Sequence, residues 1–399
     1  MFKTLVTITA AFVAISTGIL WHRTYGSLSD KIEGWSSKVF PTACQCIYLL
    51  LDIFNPLLGI PQYKIFRLLP DKDWFGMKRA MWKNELLIED STIAGVPVTT
   101  FLSHNIPSPS PGIIYFHSGG MVMGSNNAGS SLTLCSHLAN KTKAVVISVG
   151  YRLAPENVYP ASFDDAWNVV STILSDPLKY NINGSRIALM GESAGGLLAQ
   201  AVSLKLANHP QIPNRIAAQV LLYPWFQLID MFCLPSYKLY SEGFVVSDRI
   251  TAYCVSALTM GNDEMVPMYI SGNVSKYFMQ TKYWKYLAPL SKCKLNPTKD
   301  NITLPKIFIE KVTDQYLSPL LADDLSSTPP TLLGISEYDI LESESSLMSQ
   351  RLKEAGVNII TKRYKTYHGF VMNLGIPMSN KTLAKLALND TAVFLNAIW

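Results

Sequence analysis

The sequence has little charge and no concentrated block of it. Only 16% of its 399 residues are Asp, Glu, Lys or Arg, and the formal net charge is +5. The basic residues form no run of five or more, so the chain lacks the electrostatic footprint of a nucleic-acid-binding protein. Apolar residues make up 48% of the chain. That fraction excludes a disordered chain, because burial of apolar surface can offset the conformational entropy lost on folding.

Cysteine is scarce, with six residues at positions 44, 46, 135, 233, 254 and 293. This spacing predicts neither a metal site nor a dense disulfide framework, and Cys44-Gln45-Cys46 is too tight for an ordinary zinc site. An oxidising compartment would permit disulfides. Buried thiols are nevertheless the default expectation.

One long uncharged stretch, Thr4 to Trp21, lies between Lys3 and Arg23 near the N-terminus. As a helix it would span about 27 Å, close to the hydrocarbon thickness of the endoplasmic reticulum membrane. We therefore predict a signal-anchor over residues 1–23. A cleaved signal peptide, which would give a secreted protein, is the main alternative. A buried helix of the folded domain is a third.

The charges that flank the stretch do not decide which side of the membrane the catalytic domain faces. The Lys and Arg residues flanking the stretch slightly favour a cytoplasmic catalytic domain. An excess of Asn-x-Ser/Thr sequons favours the lumen of the endoplasmic reticulum instead, since about three would arise by chance. The possible N-glycosylation sites are Asn140, Asn183, Asn273, Asn301, Asn380 and Asn389.

From Leu86 onward, short apolar runs alternate with longer stretches of helical period. The runs predict strands over Val96–Leu102, Ile113–Phe116, Val145–Val149, Ile187–Met190, Val220–Leu222, Thr331–Ile335 and Ile359–Tyr364. Such alternation predicts an α/β fold with a mainly parallel sheet and helices on both faces.

The same pattern divides the chain. A catalytic domain is predicted over 86–399, preceded by a helical segment over 24–85. An aromatic-rich stretch at about 225–305 breaks the alternation and is predicted to form a lid over a pocket. A second small domain with its own core is the alternative.

The chemistry begins at Gly191-Glu192-Ser193-Ala194-Gly195, between a predicted strand and a helical run. In a nucleophile elbow the serine occupies a strained turn, and glycines two residues before and after it let strand and helix pass closely. Ser193 is therefore the predicted nucleophile. The N–H of Ala194, at the start of the helix, would face the negative charge that develops on an attacked carbonyl.

A serine hydroxyl needs a base and an orienting acid, and in enzymes with a nucleophile elbow these follow the serine in the chain order Asp or Glu, then His. Asp339 comes just beyond one predicted strand and His368 just beyond the next. Both side chains are thereby expected at the edge of the sheet that carries Ser193. They are the predicted acid and base.

A second loop follows the strand Ile113–Phe116 and reads His117-Ser118-Gly119-Gly120. Glycine lets the backbone turn its N–H groups inward, as an oxyanion hole requires. On its own this could be any tight loop, but ahead of a nucleophile elbow it resembles the His-Gly-Gly-Gly loop of lipases and esterases, with His117 and Ser118 as supporting positions and Ser118 at the first glycine.

Together with Tyr151-Arg-Leu-Ala-Pro-Glu156 and the stretch from Ser318 to Asp324, these motifs resemble the hormone-sensitive-lipase family of α/β-hydrolases, specifically its arylacetamide deacetylase-like branch. The resemblance implies nucleophile Ser193, acid Asp339, base His368, and oxyanion donors Gly119, Gly120 and Ala194. It also implies a lid built from the N-terminal helices and the insertion. A membrane-anchored luminal enzyme with no metal or nucleotide cofactor is expected on the same ground.

Two positions depart from the family pattern. Ser118 replaces the first loop glycine, and Ser343 stands where a second Asp usually follows the triad acid. Neither change removes a reacting group. We expect a serine hydrolase for apolar esters or acetamides, with a catalytically weak hydrolase-fold binding module as the alternative.

Overall fold

A computed structural model describes residues 63–64, 67, 77–104, 106–212, 215–241, 245–293, 302–375 and 379–399. The expected anchor over 1–23, most of the 24–85 segment and the sequon at Asn301 lie outside these residues. Within the part that is described, no helix combines the length and apolar character needed to cross a membrane.

The described residues form an eight-stranded sheet. Its strands are β1 (Leu86–Ile93), β2 (Val96–Ser103), β3 (Ser110–Phe116), β4 (Val145–Val149), β5 (Ile182–Glu192), β6 (Ala218–Leu222), β7 (Thr331–Tyr338) and β8 (Ile359–Tyr367). Their order across the sheet is β1-β2-β4-β3-β5-β6-β7-β8. β2 pairs antiparallel with β1 and β4, and all other pairs are parallel.

The predicted mainly parallel sheet is confirmed, and each predicted strand lies within one of β2 to β8. The sequence did not predict β1, because no apolar run marks it. It forms the edge of the sheet, and most of its side chains, in the sequence Leu-Leu-Ile-Glu-Asp-Ser-Thr-Ile, are exposed. An edge strand needs no continuous apolar run, because it is not covered on both faces.

Helices connect the strands. They are α1 (Met77–Trp82), α2 (Gly129–Thr142), α3 (Ala161–Ser175), α4 (Ala194–Ala207), α5 (Pro235–Leu239), α6 (Asp248–Met260), α7 (Val266–Ile270), α8 (Asn273–Phe278), α9 (Lys306–Val312), α10 (Glu342–Glu354) and α11 (Thr382–Ile398), with 3-10 turns at Pro177–Tyr180, Lys282–Tyr286, Pro319–Leu321 and Phe370–Gly375.

Two hydrophobic clusters cover the two faces of the sheet. Ile113 and Tyr115 of β3 belong to the cluster that includes buried side chains of α2 and α11. Ile114 and Phe116 of the same strand belong to the cluster that includes α3, α4 and α10. This alternation along a fully buried strand is what a parallel sheet between two helical layers requires.

The aromatic-rich insertion between β6 and β7 contains α5 to α8. Its buried side chains Leu258, Tyr269 and Phe278 belong to the same hydrophobic cluster as Leu333 and Ile335 of β7. The insertion therefore shares a hydrophobic cluster with the sheet.

Cys233 and Cys293 form a disulfide across a sequence separation of 60 residues. The expectation of a buried thiol is wrong at these two positions. The fold brings the two ends of the insertion together, and the N–H of Lys292 donates to the carbonyl of Cys233 over 2.9 Å. Closing so long a loop lowers the entropy of the unfolded chain. Cys135 and Cys254 are buried free thiols, as expected.

Candidate active site

Ser193 occupies a sharp turn between the end of β5 and the start of α4. Its backbone has φ 54° and ψ −123°, a conformation that costs free energy for a residue with a Cβ. A Cβ added to Gly191 would lie 2.1 Å from the carbonyl oxygen of Gly195, and one added to Gly195 would lie 2.1 Å from that of Phe116. The two glycines are therefore required by close backbone contact, as the motif predicted.

The structure brings the three sequence-predicted reacting side chains together. Nε2 of His368 lies 2.9 Å from Oγ of Ser193, and Nδ1 lies 2.7 Å from Oδ2 of Asp339. The other carboxylate oxygen of Asp339 accepts the N–H of Leu341 at 2.9 Å. All three reacting side chains are buried. This geometry lets the imidazole accept the serine proton while its second nitrogen donates to the carboxylate.

A buried carboxylate next to the serine was missed by the sequence reasoning. Glu192, the residue before Ser193, accepts hydrogen bonds from the hydroxyls of Tyr115 and Tyr223. The ring of Tyr223 also meets the ring of His368 edge-on, with centroids 5.0 Å apart. Tyr223 thus packs against the predicted base and binds the residue beside the predicted nucleophile. No local pattern in the sequence marks these contacts, because Tyr115, Glu192 and Tyr223 lie far apart in the chain.

The loop after β3 lies against the start of α4. Gly119 and Gly120 have φ of 114° and 62°, and both are thus in the region that favours glycine. A Cβ on Gly120 would lie 2.5 Å from Sγ of Cys254 in α6. Burial raises the pKa of the Cys254 thiol to about 12, so this side chain acts as a small neutral group packed against the loop.

The first carbonyls of this loop are held by two side chains. Tyr151 donates its hydroxyl to the carbonyl of His117 over 2.7 Å, and its ring stacks on the His117 ring at 4.1 Å. Nδ1 of His117 donates to the carbonyl of Ser118 over 2.7 Å. Burial lowers the pKa of His117 to about 4, so the imidazole is neutral at pH 7. His117 therefore supports the loop, as predicted, and Tyr151 is a supporting residue for which the sequence assigned no role.

The next carbonyls are held by the backbone. The carbonyl of Gly119 accepts the N–H groups of Val122 and Met123, each over 3.0 Å, and the carbonyl of Met121 accepts that of Ala154 over 2.9 Å. Among the described residues, no backbone carbonyl accepts the N–H of Gly119 or Gly120. The N–H of Ala194 likewise has no acceptor within its own helix, because it belongs to the first residue of that helix.

The two departures from the family pattern are both accommodated. Ser118 lies outside the left-handed region, so its Cβ imposes no strain there. Oγ of Ser343 accepts the N–H of Ser236 at 3.0 Å, and Oγ of Ser236 donates to the carbonyl of Ile340 over 2.6 Å. Ser343 thereby ties the start of α5 to the loop that carries Asp339.

Comparison with known proteins agrees with this architecture. A family model described as the alpha/beta hydrolase fold matches residues 113–282 and 281–372. The chain is 31% identical to human arylacetamide deacetylase-like 2 over 69% of this chain and 71% of that protein. It is 27% identical to rat neutral cholesterol ester hydrolase 1 over 74% of this chain and 76% of that protein.

Solved structures give the same result. A hyperthermophilic esterase from the archaeon Pyrobaculum calidifontis superposes with a TM-score of 0.61 at 25% identity, covering 88% of this chain and 97% of that one. The chain belongs to the arylacetamide deacetylase-like branch of the hormone-sensitive-lipase family of α/β-hydrolases, and it is a carboxylic ester hydrolase.

Proposed function

We propose that the protein is a membrane-anchored serine hydrolase that cleaves apolar carboxylic esters or acetamides. The observation that carries the proposal is the buried chain of contacts from Ser193 through His368 to Asp339, at 2.9 and 2.7 Å. A binding module would not need a serine, an imidazole and a carboxylate in hydrogen-bonding sequence beside free N–H donors.

The cycle starts when Ser193 attacks the substrate carbonyl and His368 accepts the proton from its hydroxyl. Asp339 holds the imidazole with Nε2 facing the serine and stabilises the imidazolium. The N–H groups of Gly119, Gly120 and Ala194 bind the oxyanion of the tetrahedral intermediate. His368 then protonates the leaving alcohol or amine, and water, activated by the same imidazole, hydrolyses the acyl-enzyme.

The preference for apolar substrates is supported by the insertion and by the relatives. In α6, Cys254 lies against Gly120, and this contact supports the proposal that the insertion acts as a lid over the oxyanion hole. The names of the relatives specify arylacetamides and cholesterol esters, which share a large apolar group. A series of p-nitrophenyl esters of increasing acyl length, assayed with the wild type and Ser193→Ala, tests this. We expect kcat/KM to rise with acyl length before falling, and no turnover in the variant.

Anchoring and luminal orientation are parts of the proposal that rest on residues 4–21, the disulfide and the sequons. A disulfide between Cys233 and Cys293 is typical of an oxidising compartment. Among the described sequons, Asn380 is exposed together with its acceptor-site Thr382. By contrast, Thr391 of the Asn389 sequon and Ser275 of the Asn273 sequon are buried.

Carbonate extraction and glycosidase treatment of the full chain test the topology. We expect the protein in the membrane pellet and a loss of apparent mass that is reduced in Asn380→Gln. Release into the supernatant would favour a cleaved signal peptide. A membrane-bound protein without glycans would favour the cytoplasmic orientation.

A further inference from the structure

Arg67, from the N-terminal segment, divides its guanidinium among three partners. Nε donates to the carbonyl of Val122 over 2.7 Å, and Nη2 donates to the carbonyl of Ala154 over 2.8 Å. Nη1 and Nη2 also donate to the two carboxylate oxygens of Glu156, over 2.7 and 2.9 Å. The guanidinium carbon lies 4.9 Å from the ring centre of Tyr63. The guanidinium is thus held at its edges by hydrogen bonds and on one face by the Tyr63 ring.

The two carbonyls that Arg67 binds belong to the loop of the predicted oxyanion hole and to its support. Val122 closes the turn in which its own N–H donates to the carbonyl of Gly119 over 3.0 Å. Ala154 donates its N–H to the carbonyl of Met121 over 2.9 Å. Arg67 therefore joins the end of the loop to the segment that supports its middle, through a rigid planar group with several donors.

Stabilisation of the fold by the ion pair with Glu156 does not by itself explain why Arg67 makes these contacts. The side chains of Arg67 and Glu156 are 28% and 47% exposed, and surface ion pairs of this kind contribute little to stability. Hydrogen bonds from Arg67 hold the pKa of the Glu156 carboxyl below its usual value. Glu156 thus stays ionised and orients the guanidinium toward the two carbonyls.

We propose that Arg67 is a positioning residue for the oxyanion hole. It fixes the carbonyls of Val122 and Ala154, so that the turn at 119–122 keeps its N–H donors directed at the reacting carbonyl. The inference rests on the proposed function. It assigns to the segment before the catalytic domain a part in catalysis separate from membrane anchoring.

The test compares Arg67→Ala with Arg79→Ala in the full-length protein. Arg79 forms a comparable pair with Asp90, with side chains 33% and 48% exposed, at the edge strand β1. We expect Arg67→Ala to lower kcat about ten- to hundredfold while KM changes by less than about threefold, because the loss falls on the transition state. Arg79→Ala should keep the wild-type kcat. Millimolar guanidinium, but not methylammonium, should restore part of the kcat of Arg67→Ala.

An unchanged kcat in Arg67→Ala would overturn the proposal. So would a loss that guanidinium does not restore and that Arg79→Ala shows equally, because that pattern indicates general destabilisation. If Arg67→Ala does not fold, Arg67→Lys decides the matter: an ammonium group cannot bind both carbonyls and the carboxylate in the same geometry, so full kcat in Arg67→Lys would contradict the inference. Failure of the proposed function is distinguishable, since the wild type itself would then show no ester turnover.

Discussion

The nucleophile elbow and the oxyanion loop lie side by side, yet they are held in different ways. The elbow is constrained by close backbone contacts, because Gly191 passes the backbone of Gly195, and Gly195 passes that of Phe116, too closely to carry a Cβ. The oxyanion loop is held in addition by side chains from outside it: Tyr151 holds its first carbonyl, and Arg67 holds that of Val122. A local motif thus marks the elbow in the sequence, whereas the side chains that hold the loop come from distant parts of the chain.

The largest effect is expected from breaking the elbow. Gly195→Ala would place a Cβ 2.1 Å from the carbonyl oxygen of Phe116, so strand and helix would have to separate. We expect kcat/KM to fall by at least about 10³-fold, or the protein not to fold. Gly95→Ala is the control for a glycine substitution without close contact, since no heavy atom lies within 4 Å of the added Cβ, although its own φ of 80° is positive. It should cost about 1 kcal/mol in the free energy of unfolding and keep full activity. Wild-type activity in Gly195→Ala would refute the role of close contact.

A smaller loss of activity is expected from a substitution in the oxyanion loop, and a second substitution should restore part of that activity. Gly120→Ala places a Cβ 2.5 Å from Sγ of Cys254, which would displace one oxyanion donor and lower kcat about 10²-fold. The double variant Gly120→Ala/Cys254→Ala removes that sulfur and should recover at least about tenfold. Equal kcat values for the single and double variants would show that the contact with α6 does not determine the position of the loop.

The contrast between features set by neighbouring residues and features set by distant ones explains which parts of the structure the sequence could predict. The buried strands, the elbow, and Asp339 and His368 at successive strand ends each follow from residues close together in the chain. The disulfide between Cys233 and Cys293 and the contacts of Tyr223 join residues distant in sequence, and no local pattern encodes them. β1 was missed for a different reason, because an edge strand lacks the apolar run that marks a buried one.

Ser118→Gly should have a still smaller effect. Residue 118 lies outside the left-handed region, so glycine there relieves no strain, and Gly119 and Gly120 supply the flexible positions. We expect kcat/KM to change by less than about tenfold, equivalent to roughly 1.4 kcal/mol. A gain of about a hundredfold would show instead that the serine distorts the loop.

The remaining contrast concerns stability and not activity: the pH dependence of the free energy of unfolding should differ in sign between two buried groups. Burial lowers the pKa of His117 to about 4, so the unfolded chain binds more protons and stability falls as the pH drops from about 6.5 to 4. Burial raises the pKa of Glu344 in α10 to about 8, so its contribution is lost as the pH rises from about 4.5 to 8.

Tm profiles of the wild type, His117→Asn and Glu344→Gln check both signs. The first variant should flatten the acidic side of the profile, and the second should flatten the side between about pH 4.5 and 8. Profiles parallel to the wild type would contradict the assignment of these groups.

Covalent labelling of Ser193 tests the central claim most directly. The wild type is treated with a fluorophosphonate and digested, and the modified peptide is identified by mass spectrometry. We expect one phosphonyl group per chain on Ser193, no labelling in Ser193→Ala, and labelling slowed by at least about 10³-fold in His368→Gln, because the imidazole that activates the serine is then missing. An unlabelled, folded wild-type protein, or labelling that persists in Ser193→Ala, would contradict the account.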